Sequence, residues 1–103
     1  MARRRRVRWS ATARADVRRL VEYIGARRPA AARRIVDELG RAVEDLRQHP
    51  EMGPRMEPLA EDGDYRGLLV EGYWVIYAWE TDLVRVLRVW DARRDPGSLT
   101  LVE

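Results

Sequence analysis

Few side chains in this sequence are able to do chemistry, and their types and spacing narrow what that chemistry is. There is no cysteine, so there is no thiolate nucleophile, no disulfide framework and no thiolate metal site. The single histidine, His49, sits beside a proline. One imidazole excludes a multi-histidine metal centre and argues against a histidine-based triad. It reads as a solvated turn residue. Glu57, Glu61, Asp62 and Asp64 form an acidic group, but nothing fixes their relative positions, so they read as a solvated loop and not as a carboxylate pair for acid–base work. Gly-rich phosphate loops, serine-centred elbows and helix-borne histidine pairs are missing from the sequence. It calls for no metal and no cofactor.

What remains is arginine and tryptophan. All 20 basic residues are arginine. Codon usage in a GC-rich genome produces that bias, and so does a surface built for bidentate recognition of carboxylates or phosphates; the two readings are compatible. Trp74 and Trp90, with Arg66 and Arg88, fall on stretches that alternate like strands. Basic and aromatic residues interleaved on a sheet can stack on and pair with RNA, although aromatic residues more often pack a core. Arg93 and Arg94 follow the last alternating stretch and are placed to give bidentate contacts to carboxylates of a partner. Asp95-Pro96-Gly97 then turns the chain, and Leu99, Leu101 and Val102 suit packing on a sheet or on a bound partner. The candidate partner-binding residues are therefore Trp74, Arg88, Trp90, Arg93 and Arg94.

The elements that must position them are legible. Val7-Arg8-Trp9 alternates and reads as a first strand after a basic extension over residues 1–6. Ser10, with Thr12 as the alternative, offers a helix cap. Ala13, Val17, Leu20, Val21 and Ile24 then recur at helical spacing, with Arg14, Asp16, Arg18, Arg19 and Glu22 mostly on the other side. Pro29 ends that helix and starts another, whose apolar stripe is Ala32, Ile35, Val36, Leu39, Val43 and Leu46. Asp37–Arg41 is its one four-residue ion pair. The two helices form an antiparallel hairpin over residues 11–48. Residues 49–64 read as a loop. The period then becomes two, with strands at Tyr65–Val70, Tyr73–Glu80 and Leu83–Trp90 joined by the turns Glu71-Gly72 and Thr81-Asp82. Strict alternation sets Val84, Val86, Arg88 and Trp90 on one face of the last strand. Residues 97–103 are a tail.

The 103 residues, 46% apolar and 36% charged, fit one globular domain and exclude a disordered chain. No apolar run approaches the roughly 20 residues that cross a bilayer. The basic start lacks an apolar stretch behind it, which predicts no signal peptide and a cytoplasmic protein. A net charge of +3 is modest for an obligate nucleic-acid binder. The expected architecture is α+β, in the order β-α-α-β-β-β, with the helical hairpin on one face of a small, mostly antiparallel sheet. Both faces of that sheet are apolar, so the second needs a cover: a partner, the 49–64 loop or the tail.

The run Ser10-x-x-Ala13-x-x-Asp16-Val17-x-x-Leu20-Val21-x-Tyr23-Ile24, with Pro29-x-Ala31-Ala32-x-x-Ile35, resembles the opening of the ParE/RelE superfamily of toxins from type II toxin–antitoxin modules. Leu46-x-x-x-Pro50-x-x-Gly53, Tyr65-Arg66-x-Leu68, Gly72-Tyr73-x-Val75-Ile76-Tyr77 and Val84-x-Val86-x-x-Val89-x-x-x-Arg93-Arg94-Asp95-Pro96 fit the same superfamily, across residues 7–96. The resemblance implies the same α+β fold and one of two activities. RelE-like members cut mRNA on the ribosome without metal, using basic residues on the sheet and often a C-terminal Tyr or His; ParE-like members lack that set and poison DNA gyrase. Arg66 matches one basic position of the ribonucleases, and Arg88 and Arg93 would complete a degenerate set. The position after Tyr73, an arginine in the RelE branch, is Trp74, and Gly97-Ser98-Leu99-Thr100 holds no Tyr or His. The resemblance therefore implies a non-enzymatic, gyrase-directed toxin that forms a hetero-oligomer with a ParD-like antitoxin. A ribosome-dependent ribonuclease is the alternative.

Overall fold

The computed structural model describes residues 5–59, 63–94, 98–99 and 101. The first strand, β1 (Arg6–Trp9), begins one residue before the alternation does. Arg6 is thus strand and not extension: its N–H donates to Asp82 O at 2.8 Å, while Arg47 Nε donates to Arg5 O at 2.7 Å. Ser10 ends the strand and caps α1 (Ala11–Gly25), its Oγ accepting the Ala13 N–H at 3.0 Å. Thr12 lies inside the helix. Only Ala26-Arg27-Arg28 separate α1 from α2 (Pro29–Gln48), which takes Pro29 in its first turn. On α2, Arg41 pairs with Glu38 at 2.7 Å in place of the expected Asp37. Three- and four-residue spacings both put side chains on one helix face, and here the shorter is taken.

The strands β2 (Arg66–Val70), β3 (Tyr73–Glu80) and β4 (Leu83–Asp91) follow at the expected places. Between β2 and β3, Glu71 and Gly72 adopt φ values of +50° and +85°, the pair of positive angles a type I′ turn requires. The sheet order is β1-β4-β3-β2, with β1 parallel to β4 and the other neighbours antiparallel. The hairpin of helices buries Ala13, Leu20, Ile35, Leu39 and Val43 against Val70, Val75, Val86 and Val89.

Strict alternation fails on β4. Ile76 pairs with Arg88 but Tyr77 pairs with Val86, so Leu87 is an extra residue, a bulge. Beyond it the faces exchange. Val84, Val86 and Val89 face the helical side, while Trp90 joins Ile76 on the other. The expectation that Val84, Val86, Arg88 and Trp90 share one face is corrected by that inserted residue.

The second face is covered by the chain itself. Leu59 and Leu99 bury against Ile76 and Trp90, with Met56, Tyr65, Trp74 and Leu101 packed around them. The 49–64 loop is not structureless, since it carries 3-10 turns at Pro50–Met52 and Glu57–Leu59. Of the covers the sequence allows, loop and tail supply it. The Asp95-Pro96-Gly97 turn, Val102, Glu61 and Asp62 lie outside the described residues.

Candidate functional site

Three groups of side chains stand where function can be sought. The first lies along β4. β1 pairs with β4 only as far as Val86, which leaves the next edge groups without a strand. The start of α1 satisfies them instead: Ser10 Oγ donates to Leu87 O at 3.0 Å and the Val89 N–H donates to Asp16 Oδ2 at 3.0 Å. Asp16 also receives Arg88 through Nε and Nη2, at 2.8 and 3.0 Å, and Arg19 through Nη2 at 3.0 Å. Asp16 and Arg88 are both 8% exposed. A buried carboxylate is tolerated only when so satisfied. Arg88, an expected partner contact, is thus committed to an internal bidentate pair.

The second group clamps the loop onto β3. Tyr77, fully buried, donates its OH to Pro50 O at 2.6 Å and accepts the Gly53 N–H at 2.9 Å. Burial pushes its phenol pKa above the ordinary 10.0. Arg66 reaches the same loop, donating through Nη1 to Glu51 O at 3.1 Å and Gly53 O at 2.9 Å, with its guanidinium 5.0 Å from the Trp79 ring centre. A Cβ on Gly53 would stand 2.7 Å from the Tyr77 OH and 2.8 Å from Gly67 O, so only glycine fits. The spaced residues Leu46, Pro50, Gly53, Arg66 and Tyr77 are therefore one packing unit.

The third group is at the far end of the sheet. Trp74 and Trp90 are cross-strand partners. Trp90, 4% exposed, carries the Arg94 guanidinium 4.3 Å from its ring centre and that of Arg88 at 5.2 Å. Its Nε1 is buried without a hydrogen-bond partner. Trp74, Trp90 and Arg94 line a hollow of about 320 Å³ with Met56, Leu99 and neighbouring loop residues. Arg93 lies beside it, 85% exposed, holding Asp91 through Nε and Nη2 at 3.1 and 2.8 Å. Those bonds keep the Asp91 carboxyl below its ordinary 3.8. The structure thus gathers Trp74, Arg88, Trp90, Arg93 and Arg94 at one end and places Arg66 elsewhere, beside Tyr77 on β3.

Sequence reasoning missed Asp16, which it put on the solvent side of α1. The signal was there, because Ala13, Asp16 and Leu20 share a stripe at three- and four-residue spacing. An apolar groove of about 380 Å³ between α1 and α2, lined by Trp9, Val17, Val36, Leu39 and Gly40, was missed as well. His49 is a surface residue with Nδ1 4.0 Å from Glu51, and Asp64 pairs with Arg55 at 3.2 Å. Among the described residues no group of three or more His, Cys, Asp or Glu converges on a metal position. Among them, too, no helix is long and apolar enough to cross a membrane.

Residues 7–96 match the family model described as ParE toxin of type II toxin-antitoxin system, parDE. No curated protein matches the chain. Among solved structures it is similar to the chromosomal ParDE TA system from P. aeruginosa, with a TM-score of 0.71 and 18% identity over 86% of this chain and 97% of that one. At that identity the likeness is one of fold.

Proposed function

Because the chain belongs to the ParE toxin family of type II toxin–antitoxin systems, we propose that it acts by binding DNA gyrase, without catalysis, and that a ParD-like antitoxin neutralises it in a hetero-oligomeric complex. The observation that carries this reading is the internal commitment of the arginines a ribonuclease would need. Arg66 is spent on loop carbonyls and Arg88 on Asp16. Arg93 is held by Asp91. A metal-free RNA cleavage site needs groups aimed at the attacking and leaving oxygens, and these three point at their own chain.

The end of the sheet is the surface proposed to meet the target. Arg94 lies flat on Trp90 with no ion pair among the described residues, and Arg93 is exposed beside it. Arginine and tryptophan around a hollow have the composition of interaction hot spots. The test is a pair of assays on purified protein. Messenger RNA on translating ribosomes should remain uncut by the parent and by Arg66→Ala. The Arg93→Ala, Arg94→Ala double variant should lose gyrase affinity at least tenfold while remaining folded. Codon-specific cuts that vanish in Arg66→Ala would replace this reading with the ribonuclease one.

A further inference from the structure

Gly40 stands in the middle of α2, where glycine weakens a helix relative to alanine. Nothing inside the molecule calls for it, since an added Cβ there would meet no atom within 4 Å. Gly53 is different: its Cβ would collide with Tyr77. Gly40 lines the apolar groove between the two helices. Val36, one turn earlier on the same helix, is 39% exposed there although it is aliphatic. The only charged residues that line the groove are Arg14 and Arg18. Arg14 donates to nothing but Trp9 O, at 3.3 Å, and Arg18 has no ion pair among the described residues.

From these observations we infer that the α1–α2 groove seats an acidic amphipathic helix of the antitoxin, and that Gly40 is small so that this helix can approach α2 closely. The inference rests on the antitoxin reading above. An apolar floor suits the apolar stripe of such a helix, and an all-arginine edge suits acidic flanks. A second copy of this chain fits badly. A two-fold contact through this groove sets each arginine against its own counterpart, with no carboxylate in the groove to offset them.

The test uses the purified chain and the antitoxin encoded with it. Gly40→Ala should melt roughly 2–8 °C higher as a free protein, because it adds helix propensity and meets no neighbour. It should nevertheless bind the antitoxin about tenfold more weakly, since one methyl then intrudes on a packed contact. Gly40→Leu, folded by circular dichroism, should weaken binding about 100-fold or more. Arg18→Glu should weaken it about tenfold, mostly through slower association. A merely structural glycine would not move stability and affinity in opposite directions. An antitoxin complex that forms with the parent and is untouched by Gly40→Ala and Arg18→Glu overturns the groove and leaves the antitoxin reading standing. Failure of the parent to bind antitoxin overturns both. A parent that dimerises alone, and is made monomeric by Gly40→Leu, assigns the groove to a second copy and overturns the inference.

Discussion

What an arginine can do is decided by what already holds it. Arg88 sits with Asp16 in a pair that the Val89 N–H completes, so removing the carboxylate strands a buried cation and an edge donor together. Asp16→Ala should therefore cost about 3–5 kcal/mol, read as a lower urea midpoint with an unchanged m-value. A loss under about 1 kcal/mol would mean that the pair is dispensable. Arg94 is the converse case. It touches only an aromatic face, and an exposed cation–π contact is worth about 0.5–1 kcal/mol, so Arg94→Ala should leave the melting temperature within a few degrees while reducing target affinity. Of these two fates the sequence disclosed neither directly. It gave both arginines as candidate contacts, because periodicity places a side chain on a face without saying which carboxylate awaits it. Asp16 could have been read as an internal acceptor from its place between Ala13 and Leu20, a position where burial demands a partner.

The elements were legible almost to the residue, since each has its own punctuation: Ser10 at one cap, Pro29 at the next, and Gly72 where φ must be positive. The bulge at Leu87 was not. One extra residue leaves no mark in a strand that is apolar on both faces, yet it moves Trp90 to the side of the loop. That loop is held as an element by Tyr77, and Tyr77→Phe should leave Pro50 O and the Gly53 N–H without their buried partner. A cost of about 2–3 kcal/mol in thermal or urea unfolding is expected. The pH dependence follows from the raised phenol pKa, which marks the neutral form as the one the fold favours. The unfolded chain loses its proton first, near pH 10, so the stabilisation is complete below that pH and is lost as pH rises from 10 through the folded value. The gap in stability between the parent and Tyr77→Phe should accordingly be constant from neutrality to about pH 9 and narrow above pH 10. A gap that widened there would show that the phenol is more acidic in the fold than outside it.

At the scale of the molecule, the helical hairpin and the far end of the sheet present two different surfaces. The first is an apolar groove edged by Arg14 and Arg18, the second a tryptophan pair under Arg94. A toxin needs such a division if its inhibitor is to hold it without resembling its target. Expression of the chain alone should arrest growth, and co-expression of a ParD-like antitoxin should restore it; a soluble and harmless product in the absence of any partner would count against the toxin reading. The measurement that bears most directly on binding without catalysis is the supercoiling of relaxed plasmid by purified DNA gyrase, titrated with this protein. Supercoiling should fall with increasing protein, recover when antitoxin is added, and fall less with the Arg93→Ala, Arg94→Ala variant. Undiminished supercoiling at a large molar excess of folded protein, alongside cleavage of mRNA on ribosomes, would contradict it.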